Sequence, residues 1–557
     1  MTRRLKSCFV ALMAAALLTA RFAAGQPQTQ PQTVCTITVN SADEKEAFRR
    51  HLPEAKYRFV ELVERGRPDW LASACRAAVA CDLLIISGHY DGSSEFFSDR
   101  LEAREFLPVS ELERASCSAG CPALFSRLKE VHLFGCNTLN PEPQSSASAE
   151  IVRSLVREGH SPKEAERQLR LLNSGHGESS RDRMRQVFKD VPVIYGFSSA
   201  APLGPVAAAA LNRYFQANGV REIGQGRPGA RLLAQFAPYA MSAAPGMTDK
   251  DPHADVRRDV CQFSDDRLSD AQRLGFVHEL LQREMAQARI HLDRIQRVAA
   301  ALDDEDRQTP EVARALADIA GDSAARTRFL EFARDADQPA VRARMFELAR
   351  ELGWLSVFEL KAELAQMLDE VQARRTIGLN EVNLACTLNQ AHELDDPFNR
   401  LVTPADLHDD VPHAAFRACL GSPESRARTL AGLVSPREAD VQIAQAYLRH
   451  RPITESAELR RVAADIVRMP ASEAQVRALE ALARHYVSDR DIVGMLIRLF
   501  SDTPSSAVQG AIAGILIRAD RRSIASPELV RTLVEKRHPS PSGDSMIDAL
   551  IGRLQSP

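Results

Sequence analysis

The sequence lacks an excess of charge of either sign, a hydrophobic run long enough to cross a membrane, and the common nucleotide and metal motifs. It contains 71 Lys and Arg against 74 Asp and Glu, a formal charge of −3, whereas a surface that follows nucleic-acid phosphates normally has a basic excess. We therefore expect no nucleic-acid partner. No Walker loop, dinucleotide fingerprint or His-Glu-x-x-His sequence occurs, and we expect neither a cofactor nor a metal.

The composition is that of an ordinary globular protein. Its 557 residues are 45% hydrophobic and 26% charged, which excludes collagen-like, wholly disordered and multi-span membrane proteins. At roughly 150 residues per domain, the length predicts two to four domains.

The first 25 residues have the pattern of an export signal. Basic residues precede the apolar run 8–20, and the small residues 23–25 form a cleavage site. The run is too short to span about 30 Å of hydrocarbon comfortably, so removal is favoured over a retained anchor. We expect a signal peptide over 1–25, a polar, Pro-rich tether over 26–34, no stable membrane insertion after cleavage, and a periplasmic or secreted protein.

Nine cysteines follow the predicted signal. In an oxidising compartment disulfides persist, and an odd number leaves at least one thiol without an intramolecular partner. Cys117 and Cys121 have no second ligand pair at zinc-finger spacing. A disulfide, either local or to Cys75 or Cys81, is therefore favoured over a zinc site, although connectivity cannot be read from sequence.

Residues 35–242 alternate short apolar runs with helical patterns, and one of these patterns covers 111–129. The runs occupy 35–41, 57–63, 82–88, 130–135 and 192–199. Strands that are apolar on both faces and alternate with helices predict an α/β domain with a mostly parallel sheet covered on both sides. In such sheets, functional groups collect at the carboxyl ends of the strands.

The chain changes character after the polar, Pro-containing stretch 243–264, which we interpret as a linker. From 265 to 557, strand patterns disappear and apolar residues recur at helical spacing. Similar phrases contain Val441, Val476 and Val508, at steps of 35 and 32 residues. These steps are close to the length of a helical hairpin and predict an all-α solenoid that loosely resembles HEAT repeats and binds a protein partner. An irregular helical bundle is the alternative.

Two neighbouring apolar runs end in residues that carry chemistry. The first ends in Gly88-His89 and the second in Gly135-Cys136. One helical segment separates them, so they are expected to form adjacent parallel strands whose side chains emerge at one edge of the sheet. A thiol beside an imidazole forms a nucleophile with a general acid and base. Backbone N–H groups around Gly88, Tyr90, Gly135 and the cysteine itself are candidates for holding an oxyanion.

The order of these motifs resembles the caspase-like cysteine peptidases, and most closely the CHAT-domain group. A strand ends in Ser-Gly-His, a helix follows, and the next strand ends in Cys136. As in that group, the cysteine is followed by a polar residue and Thr, here Asn137-Thr138. The segment Leu107–Leu112 also matches its Leu-x-x-x-Glu-Leu helix start. The resemblance covers about residues 35–240.

This resemblance implies a caspase-like sandwich that hydrolyses a protein or peptide substrate. By position, Cys136 would be the nucleophile and His89 the general acid and base. The sequence departs from the family where Tyr90 follows the histidine in place of the usual glycine, and a bulkier residue has less backbone freedom at that position.

Other polar residues near the strand ends are weaker candidates for lining a substrate cleft. They are Asp91, Asn137, Thr138, His176, Arg181 and Ser198. His176 belongs to a second Gly-His-Gly, which follows a helical pattern and is interpreted as a helix C-terminus. The loop that contains Arg181 is a candidate because long loops near strand ends often carry function.

Two other classes of protein compete with the hydrolase interpretation. One is a non-catalytic periplasmic scaffold or adaptor, in which an inactive caspase-like domain carries the helical repeats. The other is a redox thiol protein, which is disfavoured because no Cys-x-x-Cys occurs. An open cleft that holds Cys136 with His89 favours the hydrolase, whereas a buried or disulfide-bonded Cys136 favours the scaffold.

Overall fold

The computed structural model describes residues 30–62, 71–92, 95–98, 105–142, 148–157, 160–175, 179–251, 254–399, 410–485, 487, 489–519, 524–539 and 545–555. The chain forms two compact units, residues 1–315 and 316–557. The predicted signal peptide lies outside the described residues. Within the described ranges, no helix combines the length and the apolar character that crossing a membrane requires.

The first unit contains two β-sheets. Its strands are β1 (Gln32–Thr38), β2 (Tyr57–Glu61), β3 (Leu83–Ser87), β4 (His89–Tyr90), β5 (Glu95–Phe97), β6 (Phe106–Pro108), β7 (Glu130–Phe134), β8 (Val193–Phe197) and β9 (Met241–Ala244). The larger sheet has the order β2-β1-β3-β7-β8-β9 and is parallel except for the β8–β9 pair. The predicted mostly parallel sheet is therefore confirmed. The smaller sheet, β4-β5-β6, is antiparallel.

Helices connect and follow these strands. They are α1 (Asp43–His51), α2 (Ala72–Arg76), α3 (Val109–Cys117), α4 (Ser148–Arg157), α5 (Pro162–Gly175), α6 (Ser180–Val187), α7 (Gly204–Gln216), α8 (Ala230–Gln235), α9 (Ala254–Ser264), α10 (Asp270–Gln282), α11 (Met285–Ile290), α12 (Leu292–Ala301), α13 (Asp304–Gln308) and α14 (Pro310–Gly321). Both faces of the larger sheet are buried, as strand β3 shows. Leu83 and Ile85 enter one hydrophobic core, and Leu84 and Ile86 enter the other. Alternate side chains of a strand point to opposite faces, so an uninterrupted apolar run fits a sheet that is buried on both sides.

The helix predicted over 111–129 is much shorter in the structure. It ends at Cys117, where Ser118 adopts an extended conformation. The Ser118 hydroxyl then accepts a hydrogen bond from the Gly120 N–H at 2.9 Å, and Pro122 follows. A proline cannot donate the backbone hydrogen bond that a continuing helix needs, so local turn chemistry overrides the apolar pattern.

Secondary structure extends into both segments that flank the predicted α/β domain. Strand β1 begins at Gln32, inside the predicted tether 26–34. The predicted linker 243–264 holds the end of β9 and all of α9. A disulfide joins Cys261 of α9 to Cys117 of α3, so this stretch is anchored to the first unit.

Eight of the nine cysteines after the predicted signal form disulfides. The pairs are Cys35–Cys81, Cys75–Cys121, Cys117–Cys261 and Cys386–Cys419. Cys136 is the free cysteine of the described residues and is half-buried. These bonds fit an oxidising extracellular or periplasmic setting, because reducing compartments keep thiols unpaired.

The second unit is all-helical over its described residues. After the end of α14, its helices are α15 (Ser323–Arg334), α16 (Pro339–Glu351), α17 (Val357–Gln372), α18 (Leu379–Leu388), α19 (Asp395–Asn399), α20 (Val411–Cys419), α21 (Pro423–Ala431), α22 (Glu438–His450), α23 (Ser456–Val467), α24 (Glu473–Leu482), α25 (Arg490–Asp502), α26 (Ser506–Leu516), α27 (Pro527–Lys536) and α28 (Ser545–Gln555). Helices α22, α24, α26 and α28 contact one another in sequence, as do α23, α25 and α27.

Equivalent side chains make the same contacts in successive helical pairs. Gln475 donates from Nε2 to the Ile466 carbonyl at 3.1 Å, and Gln509 donates to the Phe500 carbonyl at 2.9 Å. Both glutamines are fully buried. A buried amide that bonds a carbonyl at the end of the preceding helix fixes how the two helices of each pair pack against each other.

Candidate active site

The carboxyl ends of β1, β3, β7 and β8 surround one cavity of about 120 Å³. Its walls are formed by Asn40, Ser41 and Glu44 after β1, Gly88 and His89 after β3, Phe134, Gly135 and Cys136 at β7, and Ala201, Pro202, Leu203 and Gly204 after β8. The structure therefore places the predicted thiol and the predicted imidazole in the walls of the same cavity.

The pairing of β3 with β7 brings the two residues together. The strands are parallel and adjacent, with Ser87 opposite Phe134. Two residues further along each chain stand His89 and Cys136. The Gly88 N–H donates to the Phe134 carbonyl at 3.2 Å, which holds the two strand ends against each other beyond the last ladder pair.

His89 is positioned by the small antiparallel sheet. It opens strand β4 and lies opposite Phe97 of β5. The two rings are tilted by 31°, with their centroids 5.4 Å apart. The imidazole is half-buried, so one side contacts protein while the ring still lines the cavity.

Cys136 sits at a sharp turn that directly follows β7. The next residue, Asn137, has a left-handed φ of 57°, a conformation that Asn tolerates better than most residues. Its N–H donates to the Ser199 carbonyl at 2.8 Å. The thiol accepts a hydrogen bond from the Ala201 N–H, with nitrogen and Sγ 3.3 Å apart. Such a bond is stronger to a thiolate than to a thiol.

Thr138 supports this turn and does not line the cavity. It is fully buried. Its hydroxyl donates to the Gly135 carbonyl at 3.1 Å and accepts from the Phe197 N–H at 3.1 Å. The prediction that Thr138 contributes to a substrate cleft is therefore corrected: its role is to tie the cysteine turn to strand β8.

Only some of the residues predicted to hold an oxyanion through their backbone N–H groups can do so. The Gly88 N–H is already bonded to a carbonyl, so it cannot serve a substrate oxygen as predicted. Tyr90 is buried with its ring 4.8 Å from that of Phe96, and burial raises the pKa of its hydroxyl to about 12. Gly135 lines the cavity, and its role in holding an oxyanion stays a prediction.

The remaining polar candidates lie outside the cavity wall as far as the structure describes it. Asp91 accepts the Glu95 N–H at 3.1 Å and so shapes the turn between β4 and β5. The Ser198 hydroxyl donates to the Ala240 carbonyl at 3.2 Å, and Arg181 lies 3.4 Å from the Asp182 carboxylate. Asn137 shapes the cysteine turn through its backbone N–H. His176 lies outside the described residues.

Glu44 is a cavity residue that sequence reasoning missed. It lies in the first turn of α1 and is 3% exposed. Burial raises the pKa of its carboxyl to about 7, Asp43 acts in the same direction, and the backbone and the Ser87 hydroxyl oppose the shift. An acidic residue in the first turn of a helix is normally explained by the helix dipole, which is why the sequence alone gives no hint of this position.

Within the described residues, no cluster of three or more His, Cys, Asp or Glu side chains is arranged to hold a metal ion. The sequence matches no protein-family model and no curated protein. The likeness to caspase-like peptidases therefore rests on the order of the motifs and on the sheet that carries them.

Proposed function

We propose that the first unit is an exported cysteine hydrolase of caspase-like, CHAT-like type that cleaves peptide bonds. Cys136 is the nucleophile, and His89 is the general acid and base. One observation carries the proposal: the unpaired thiol and the imidazole line one cavity at the ends of two adjacent parallel strands.

The chemistry follows from the two side chains. The Cys136 thiolate attacks the peptide carbonyl carbon, and the carbonyl oxygen becomes an oxyanion. When this intermediate collapses, the C–N bond breaks and protonated His89 gives its proton to the departing amine. Water then attacks the thioester, His89 takes up its proton, and the C–S bond breaks to release the acid and restore the thiolate.

The state of Cys136 favours this function over a non-catalytic scaffold. A cysteine kept for structure is normally buried and inert or bonded to another cysteine. Here the other eight cysteines after the predicted signal are bonded, whereas Cys136 is half-buried in a cavity wall. Its sulfur also accepts a hydrogen bond from the Ala201 N–H, which holds the thiol in the cavity wall.

For the second unit, we propose binding of a protein partner, in the manner of helical repeat proteins. The stacked helices and the repeated buried glutamines support a regular array. Such arrays present extended surfaces on which a partner can dock.

The test is peptide-library cleavage by the full chain, combined with labelling by a thiol-directed probe. We expect Cys136→Ala to abolish both, and His89→Ala to lower cleavage by about 10²- to 10⁴-fold. His160→Ala is the matched control, because that histidine pairs with Glu284 and does not line the cavity. Cleavage that survives Cys136→Ala would remove the mechanism. Labelling without any cleavage would favour the scaffold.

A further inference from the structure

Another pocket in the described part of the first unit shares no lining residue with the candidate active site. It has a volume of about 310 Å³ and lies where the start of α3 meets α9, α10 and α12. Cavities of roughly 300–1,000 Å³ are large enough to hold a small molecule. The chemistry of the pocket wall therefore decides which ligand fits.

The wall of this pocket carries charge of both signs. Four arginines and four acids contribute to it, and most of them form ion pairs. Charges that are paired with each other exert little attraction on an ion from solution. The pairs within the wall are Arg114–Glu111 at 2.6 Å, Arg273–Asp270 at 2.8 Å and Arg294–Glu113 at 2.7 Å, and Asp266 lies 3.5 Å from Arg114.

Arg297 is the arginine of this wall that forms no ion pair within the described residues. It is exposed, so a ligand can reach it. Glu113 and Asp293 act on it electrostatically, but neither is in ion-pair contact with it. Glu113 cannot neutralise it, because that buried carboxylate bonds to Arg294 and has Arg183 only 3.9 Å away. Three guanidinium groups therefore share one buried carboxylate, and their surplus positive charge reaches the pocket through Arg297.

The rest of the wall limits which anion fits. Phe263 and Val298 supply apolar surface, and the Phe263 ring packs edge-on against Phe276 with the centroids 5.2 Å apart. The side chains of Asp266 and Asp270 are 43% and 42% exposed, so their negative charge disfavours a polyanion. A phosphate group carries nearly two charges at neutral pH, whereas a carboxylate carries one and accepts two parallel hydrogen bonds from a guanidinium. A single carboxylate on an apolar body therefore matches this wall.

We propose that this pocket binds a small organic acid, whose single carboxylate pairs with Arg297 while its apolar body contacts Phe263 and Val298. The carboxylate supplies the charge that Arg297 lacks, and burial of the apolar body adds to the free energy of binding. Neither Cys136 nor His89 belongs to this pocket, so the site does not depend on the proposed hydrolase.

The experiment measures binding of phenylpropionate to the full chain by calorimetry. The neutral isostere phenylpropionamide tests the need for charge, acetate tests the need for the apolar body, and inorganic phosphate tests for a general anion site. We expect phenylpropionate to bind more tightly than each of the other three compounds by about tenfold or more. Arg297→Gln should weaken its binding by about tenfold or more, and Arg297→Lys, which keeps the charge without the paired donors, should retain part of it.

The matched control is Arg258→Gln, which changes an exposed arginine of α9 that does not belong to the pocket wall and should leave binding unchanged. Labelling with phenylglyoxal, followed by mass spectrometry, should show that phenylpropionate protects Arg297 and not Arg258. Thermal unfolding without ligand checks that each variant is folded. Absence of phenylpropionate binding, equal binding of any of the other three compounds, or full binding by Arg297→Gln would overturn the proposal. Each of these results would leave the hydrolase, which the cleavage assay tests separately, unaffected.

Discussion

Gly135 lies where the strand end that carries Cys136 packs closely against the one that carries His89. Adding a single methyl group there should disturb both strand ends. A Cβ at this position would lie 2.9 Å from the Tyr90 Cβ and 3.0 Å from the Gly88 carbonyl oxygen. Both neighbours belong to residues directly next to His89. Gly135→Ala therefore pushes the cysteine strand away from the histidine strand.

The size of the effect follows from these contacts. They are roughly 0.5 Å shorter than the ~3.5 Å of ordinary contact, and one of the opposing atoms is backbone. Overpacking of this kind typically costs about 1–3 kcal/mol in the free energy of unfolding. Misplacing reacting groups by about 1 Å lowers a rate by about 10²-fold, so we expect peptide cleavage to fall by roughly 10- to 100-fold.

Urea unfolding measures the first effect, and probe labelling with peptide cleavage measures the second. The matched control is Gly275→Ala in α10, where an added Cβ meets no atom within 4 Å. It should keep full activity and gain up to about 1 kcal/mol, since Ala is the better helix former. Wild-type stability and labelling in Gly135→Ala would refute the close approach of the two strand ends.

Three further outcomes are expected. Ala201→Pro removes the N–H that bonds to Cys136 and should slow the alkylation of Cys136 by iodoacetamide at neutral pH about tenfold. Ala201→Gly keeps the N–H and should keep the wild-type rate. Equal alkylation rates in the two variants would contradict a role for this hydrogen bond. Glu113→Gln leaves Arg294 buried without its 2.7 Å partner and should cost about 3–5 kcal/mol in urea unfolding. Burial raises the pKa of Glu113, but Arg294 and its arginine neighbours outweigh burial and hold that pKa below its usual value. The difference in the free energy of unfolding between wild type and Glu113→Gln should therefore have its full value above about pH 4.3 and should shrink as the pH falls through the lowered pKa of Glu113. A difference that grows in acid would contradict the lowered pKa.

The sequence was sufficient to predict the central strands. Each is apolar on both faces, as in 82–88 and 130–135, and the structure has strands at Leu83–Ser87 and Glu130–Phe134. That pattern is specific to a sheet covered on both sides. The odd cysteine count also predicted a free thiol, and the structure identifies it as Cys136.

Other features depend on contacts that no local pattern records. The small sheet has strands of two and three residues, too short for a periodicity to show. The Cys117–Cys261 bond joins residues 144 positions apart, and spacing does not specify pairing. Glu44 is buried at a cavity whose wall also contains Leu203, which comes from a loop remote in the chain.

The disulfide between Cys35 and Cys81 joins the middle of strand β1 to the segment that leads into β3. There the Asp82 carboxylate also accepts the Thr33 N–H at 2.8 Å. One covalent bond and one buried polar contact therefore fasten β1 to the entry of β3, while His89 and Cys136 follow the opposite ends of β3 and β7. Reducing this disulfide would weaken the pairing of β1 with β3 without altering either reactive side chain.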